Sequence, residues 1–266
     1  MKQSTILEAR RAPPQHPPQR NGGCRDLVLL HGWGMNAGHM HELGAAFGAG
    51  WRIRCLNLPG HGADAVRSLK VDEDVLGMLA NAAPGPAVWV GWSLGGAVAL
   101  RVAERFPQQV ERLVLLASTP RFTASADWPD AMPRAIFETF AASVEQDPRA
   151  ALRRFLALQY VGVARAREAI LAAQAQLDAQ PPSRAGLQLG LRWLRDWDLR
   201  ATLVRLDKPA LVILGQLDRL VPPSVAGALA ALNPALTVAV LDDAGHAPVL
   251  THPAQAARLI LDFVDA

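Results

Sequence analysis

The sequence predicts an α/β fold: a mostly parallel sheet flanked by helices and carrying an inserted helical cap. Three observations predict it. Six short apolar runs alternate with helix-length segments, the pattern of strands joined by crossover helices. Several of those runs are almost unbroken Val, Leu and Ile, as strands covered on both faces require. The alternation then stops between about residues 122 and 206, a stretch that is helical in pattern and broken at Pro129, Pro133, Pro148 and Pro181-Pro182.

Taken in order, residues 11–23 (RAPPQHPPQRNGG) are rich in Pro, Gln and Gly and read as a flexible lead-in or an irregular loop. Strands are expected at 27–30, 53–58, 87–91, 112–117, 210–214 and 237–241. Helices are expected between them at 39–48, 71–83, 94–106, 222–232 and 253–264, the last opened by Pro253, which suits a first helical turn. The division that follows is a core of residues 1–121 and 207–266, with residues 122–206 as a cap over the sheet edge.

Composition narrows the class. The chain has 266 residues, half of them hydrophobic, so it can bury a large core and is not a disordered polymer. No apolar run approaches the ~18 residues a membrane span needs. Residues 1–11 hold no continuous apolar stretch of signal-peptide length, so secretion is not expected. The two cysteines, Cys24 and Cys55, make neither a disulfide framework nor a metal signature, and a reduced, cytoplasmic setting fits them. Cys55 lies inside an expected strand and reads as a small buried hydrophobe. Of the 27 basic residues only Lys2, Lys70 and Lys208 are lysine; the rest are arginine, mostly scattered, with no nucleic-acid motif.

The chemistry is carried by three loops. Gly91-Trp92-Ser93-Leu94-Gly95-Gly96 follows one expected strand and opens a small-residue helix. That context is what a nucleophile elbow requires, with glycines allowing a turn tight enough to lift Ser93 off the sheet edge. Leu29-Leu30-His31-Gly32-Trp33-Gly34 ends another strand. A serine that attacks a carbonyl needs two N–H donors for the developing oxyanion; Leu94, after the serine, and Trp33, in this loop, are the candidates. His31 reads as a brace for the loop. The base is sought among seven histidines. His16 lies in the Pro-rich segment, and His39 and His41 do not share a helix face. His246, in Asp242-Asp243-Ala244-Gly245-His246-Ala247-Pro248, directly follows the last strand, on the same edge as Ser93. Asp218 follows its own strand 28 residues earlier and is the expected acid. Asp207 precedes its strand, and Asp242 and Asp243 are less well placed to support the ring. Trp33 and Trp92 either wall an acyl pocket or pack the core.

The cap contributes one readable helix. Asp147-Pro148 is a good start signal, and Leu152, Phe155, Leu156 and Gln159 then share a stripe that faces the site or packs the cap onto the core. Arg149 and Arg153 lie beside it and Arg154 points elsewhere. With Arg165 and Arg167 they crowd one short stretch, which is either an ordinary solvated cap face or a docking surface for an acidic partner.

Together these motifs resemble the α/β-hydrolase superfamily, which uses the order serine, acid, histidine. More closely, the chain is similar to the pimeloyl-acyl-carrier-protein methyl ester esterase family of biotin synthesis. That similarity rests on Leu-Leu-His-Gly-Trp-Gly-Met-Asn (29–36), Gly-Trp-Ser-Leu-Gly-Gly (91–96), Ala-Ser-Thr-Pro-Arg-Phe (117–122) with Asp127-Trp128-Pro129, Arg-Phe-Leu-Ala-Leu-Gln (154–159), and Ala-Gly-His-Ala-Pro (244–248) before His252-Pro253. It implies the α/β-hydrolase fold and a serine carboxylesterase needing no cofactor and no metal. It also implies substrate contacts at Trp33, Ser93, Leu94, Phe155, Leu156, Ala157, Leu158, Gln159 and His246, and acyl carrier protein as the partner. Small-molecule esters are expected to react in vitro; nucleic acid and membrane are not expected partners, and the enzyme is expected to be a monomer. The Pro-rich segment departs from the family, which places an early pair of strands there. A general short-chain esterase or carbon–carbon bond hydrolase keeps the same triad with another cap, and a non-catalytic small-ligand receptor is the alternative of another class.

Overall fold

The computed structural model describes residues 6–7, 24–64, 72–83, 85–164 and 166–266; the Pro-rich segment at 11–23 and Arg165 lie outside them. In chain order the strands and α-helices are β1 (Ile6–Leu7), β2 (Arg25–Leu30), α1 (His41–Ala45), β3 (Trp51–Leu56), α2 (Asp72–Asn81), β4 (Ala87–Trp92), α3 (Leu94–Arg105) and β5 (Val110–Leu116). There follow α4 (Arg134–Gln146), α5 (Pro148–Leu158), α6 (Arg167–Ala179), α7 (Arg184–Asp196), α8 (Arg200–Arg205), β6 (Ala210–Gly215), α9 (Val225–Leu232), β7 (Thr237–Leu241), α10 (Pro248–Thr251) and α11 (Pro253–Asp265).

One seven-stranded sheet has the order β1-β7-β6-β5-β4-β2-β3. β2 to β7 run parallel, and the short β1 adds antiparallel to β7, Ile6 opposite Ala239. The central strands β4 (AVWVGW) and β6 (ALVILG) are buried at every position, because helices cover both faces of the sheet. β3 differs. Its Arg52 and Arg54 are exposed, and among the described residues nothing pairs with its outer edge. Charged side chains on such an edge discourage pairing with another chain. The Pro-rich segment, where the family places an early pair of strands, lies outside the described residues.

The expected helix over 39–48 is instead a short 3₁₀ turn, Ala37–Met40, capped by Asn36, followed by α1. Between β5 and β6 the chain makes five consecutive helices, α4 to α8. The two ends of this insert are joined at their roots. Arg121 and Asp198 form a backbone bridge, and Leu199 N–H donates to Pro120 O at 2.8 Å. Arg121 and Arg200 both reach Asp198, at 2.5 and 2.6 Å, and Arg200 also reaches Asp127 at 2.8 Å. These guanidinium contacts, Arg200 first, hold the Asp198 carboxyl down to about 2. Among the described residues, no helix is long and apolar enough to cross a membrane.

Candidate active site

β4 delivers Ser93 to the carboxyl edge of the sheet, and α3 leaves at once. The turn forces Ser93 to φ 55° and ψ −119°, a conformation that is costly for a side-chain-bearing residue and persists only where the surroundings impose it. Close packing is part of that imposition. A Cβ on Gly95 would stand 2.5 Å from Leu30 O and 2.6 Å from His31 O, so α3 can press against the end of β2 only with glycine there. Behind the turn, Ser93 N–H donates to Leu116 O at 2.9 Å, and Ser118 Oγ donates to Ser93 O at 2.7 Å.

The loops after β6 and β7 bring the two other groups to the same edge. Ser93 Oγ lies 2.8 Å from His246 Nε2, and His246 Nδ1 lies 2.8 Å from Asp218 Oδ2. All three are buried: Ser93 is 8% exposed, Asp218 4% and His246 2%. Asp218 is aimed by its own loop. Its Oδ1 accepts the N–H groups of Leu220 and Val221, at 2.8 and 3.0 Å, leaving Oδ2 for the imidazole. With Nδ1–H given to Asp218, Nε2 is free to accept the serine proton. The rejected acids lie elsewhere: Asp243 is exposed, and Asp207 stands before β6 at the opposite edge.

The loop after β2 closes the other side. A Cβ on Gly32 would sit 3.3 Å from Ser93 Cβ, so the 31–34 backbone lies against Ser93. Leu94 opens α3, where backbone N–H groups have no partner within the helix and the dipole favours negative charge. His31 braces this loop. Its Nδ1–H donates to Gly32 O at 2.8 Å, and its Nε2 accepts Leu58 N–H at 2.9 Å. Burial first, then neighbouring His61 at 5.2 Å between ring centres, pushes His31 well below the usual histidine range, so it stays neutral. Burial also pushes His61 down to about 4.

Ser93 and His246 open into an apolar cavity of about 70 Å³. Trp33, Phe122, Phe137, Phe140 and Phe155 form its aromatic wall, with Trp33 edge-on to Phe140 and Phe155 at 5.2 and 5.1 Å. Ile136 and Leu158 line it while remaining 59% and 41% exposed, so they mark its mouth. Of the cap segment singled out in the sequence, Phe155 and Leu158 reach the cavity. Leu156 is buried in the packing of the insert, and Ala157 is exposed. Gln159 does not line the cavity; its backbone O accepts His246 N–H at 3.0 Å, while its buried side-chain amide has no partner among the described residues. Trp33 walls the cavity with its ring, whereas Trp92 packs below and donates its indole N–H to His246 O at 2.6 Å. The wall residues Phe137 and Phe140 were not singled out from the sequence, although their spacing of three on one helix is the signal that could have found them.

Arg149, Arg153, Arg154 and Arg167 are exposed on α5 and at the start of α6. Arg149 is held only loosely, 3.8 Å from Asp178. The two cysteines are unpaired, and burial pushes the Cys55 thiol up to about 11, the behaviour of an inert side chain. Among the described residues, no three His, Cys, Asp or Glu side chains are grouped to hold a metal ion.

Comparison with known proteins gives the family and the fold. The family described as alpha/beta hydrolase fold matches residues 27–253. The pimeloyl-[acyl-carrier protein] methyl ester esterase of Methylococcus capsulatus is 41% identical, over 92% of this chain and 97% of its own length. The protein of that name from Xanthomonas campestris pv. campestris is 42% identical, over 90% and 95%. In structure, an esterase from Exiguobacterium antarcticum superposes with a TM-score of 0.81 at 20% identity, covering 92% of this chain and 93% of its own, a likeness of fold. The chain is thus a carboxylic ester hydrolase of the alpha/beta hydrolase fold, and it belongs to the pimeloyl-[acyl-carrier protein] methyl ester esterase family.

Proposed function

We propose that the chain hydrolyses the methyl ester of a pimeloyl group borne on acyl carrier protein, releasing pimeloyl-acyl-carrier protein and methanol for biotin synthesis. The observation that carries this reading is the Ser93–His246–Asp218 relay, closed by two 2.8 Å contacts beside an apolar cavity. Ser93 Oγ attacks the ester carbonyl carbon as its proton passes to His246 Nε2. Asp218 stabilises the imidazolium, and the N–H groups of Trp33 and Leu94 hold the oxyanion. The bond to the methoxy oxygen then breaks, and His246 returns its proton to give methanol. Water attacks the acyl-enzyme, passes a proton to His246, and Ser93 leaves with it. The cycle balances without a metal or an organic cofactor.

On this reading residues 1–121 and 207–266 are the catalytic core and 122–206 a lid that receives the acyl chain. The chain lies along Phe155 and leaves between Ile136 and Leu158. Arg149, Arg153, Arg154 and Arg167, with Arg165, meet the acidic carrier. The protein works as a cytoplasmic monomer, and no step requires nucleic acid or membrane. The test is to compare carrier-bound pimeloyl methyl ester with free short-chain methyl esters. A kcat/KM at least ten-fold higher on the carrier-bound ester is expected. Equal values mean a general carboxylesterase, and failure of a fluorophosphonate to label Ser93 means a non-catalytic ligand receptor.

A further inference from the structure

The insert is bonded to the machinery it covers. Within the loop that follows β2, Trp33 donates its indole N–H to Leu187 O of α7 at 2.9 Å, and a Cβ on Gly190 of α7 would stand 2.6 Å from Trp33 Cδ1. Met35 N–H closes a tight turn on Gly32 O at 3.2 Å. The next residue, Asn36, is fully buried. Its Oδ1 accepts Gly38 N–H at 3.0 Å and Gln176 Nε2–H at 3.1 Å. Its Nδ2 donates to Gln180 O at 3.2 Å and Gln176 O at 3.4 Å. Both hydrogens and both lone pairs of the amide are therefore in use. Asn36 N–H donates to His39 Nδ1 at 3.2 Å, and His39 Nε2–H donates to Ala173 O at 3.1 Å.

Asn36 thus caps two elements at once. It is the N-cap of the turn that continues its own loop. Its Nδ2 also donates to two carbonyls at the end of α6, that of the C-cap Gln180 and that of Gln176, which already accepts Gln180 N–H at 3.2 Å. Asn36 lies three residues from Trp33, across the single turn closed by Gly32 and Met35, so its position and that of the Trp33 N–H are linked. We propose that Asn36 is a positioning residue. Through it the C-terminal end of α6 holds the oxyanion loop in register with Ser93, and the insert takes part in transition-state stabilisation without touching the reacting atoms. Asparagine suits the place because only an amide offers two donors and two acceptors in one plane. Aspartate loses both donors to α6, and alanine loses everything.

This inference rests on the serine-esterase reading above, and its test separates the two. With p-nitrophenyl acetate, Asn36→Ala and Asn36→Asp are expected to lower kcat about 10- to 100-fold with KM within about three-fold, since a displacement near 1 Å can cost about 100-fold. Affinity for a trifluoromethyl ketone, which becomes a tetrahedral oxyanion on Ser93, is expected to fall by the same factor. Gln176→Ala, made in the insert and removing one bond to Asn36 Oδ1, is expected to move both values in the same direction by about 3- to 10-fold, and it keeps the test open if the Asn36 variants do not fold. A lowered Tm with unchanged kcat and ketone affinity in the folded variants overturns the proposal. So does a loss confined to KM. A wild-type enzyme that fluorophosphonate does not label overturns the esterase reading instead.

Discussion

The edge of the sheet and the inserted helices meet at one cavity, and they contribute to it by different physics. At the sheet edge the groups are few, buried and joined by short directional bonds: Ser93 to His246 to Asp218, and His31 to Gly32 and Leu58. In the insert the contributions are broad. Phe137, Phe140 and Phe155 of the aromatic wall come from α4 and α5, exposed arginines lie on α5, and the ion pairs of Arg121, Asp198 and Arg200 at the roots stand near solvent. Short bonds between buried groups have no substitute when one is removed, whereas surface charge and apolar area are shared among many residues. Changes at the sheet edge should therefore be severe and indifferent to the substrate, and changes in the insert, apart from the α6 bonds to Asn36, mild and substrate-selective.

The most severe break is Ser93→Ala. Loss of a triad nucleophile can cost on the order of 10⁶ in turnover, so hydrolysis of carrier-bound and small esters alike is expected to vanish, with an unchanged circular dichroism spectrum. More than a few per cent of residual activity in a clean preparation removes Ser93 from its role. Asp218→Asn should follow with a loss of about 10⁴, the cost of the corresponding change in a serine protease, because the amide leaves His246 in the wrong tautomer. Near-normal turnover in Asp218→Asn alongside an inactive Asp242→Asn or Asp243→Asn would transfer the acid to the loop after β7.

A gentler break acts on His61, whose ring lies 5.2 Å from that of His31. His61 donates Nδ1–H to Pro59 O at 2.9 Å and is fully buried as a neutral ring with its pKa near 4. The unfolded chain protonates it near 6.5. Between those values the unfolded state binds more protons, so stability rises with pH. The contribution is complete above about 6.5 and is lost as pH falls toward 4, with about 2 kcal/mol gone at pH 5. Urea unfolding at pH 7.5 and pH 5 measures it. A His61→Phe variant should lose less between the two pH values than the parent, and an equal loss would assign the acid sensitivity to other groups.

The two regions also differ in how much of them could be read from sequence. Strands buried on both faces announce themselves, and the loops that end them carry Ser93, Asp218 and His246 in a fixed order, so the sheet edge needed little more than the chain itself. Some of its boundaries differ from the hydropathy reading. β3 begins at Trp51 and Arg52 because they face Arg25 and Asp26 across the ladder, and β5 ends before Ala117, whose φ of 46° leaves the strand. The insert was readable as helix but not as contact. The stripe Leu152, Phe155, Leu156 and Gln159 is buried as its period requires. Yet Leu152 spends its burial on the oxyanion loop, 2.5 Å from where a Cβ on Gly34 would stand, and off-stripe Leu158 reaches the cavity mouth. Which side of a helix meets a site depends on where the helix is set down, and for α6 that depends on bonds to Asn36, 140 residues away.

The smallest expected effect is the one that sharpens the contrast most. Arg149, Arg153 and Arg154 project from α5, whose Phe155 lines the cavity and whose Leu158 stands at the mouth, and all three guanidiniums are exposed. An acidic carrier arriving there would be steered by the field of the rim, and arginine's planar fork can grip a carboxylate or the phosphate of the carrier's arm with two bonds. Exposed charge pairs are worth about 0–1 kcal/mol each and act across a Debye length of about 10 Å at 0.1 M salt. Activity on the carrier-bound ester should therefore fall about 3- to 10-fold between ~50 and ~300 mM salt, while a small neutral ester barely responds. The triple change of Arg149, Arg153 and Arg154 to Ala should reproduce that split at low salt and abolish the salt dependence. Were both substrates to lose equally, the arginines would be supporting the helix that shapes the cavity; were neither to lose, the carrier would dock elsewhere. Only the split, with the triad's chemistry intact on the small ester, shows the arginines of α5 selecting the substrate while the sheet edge carries out the reaction.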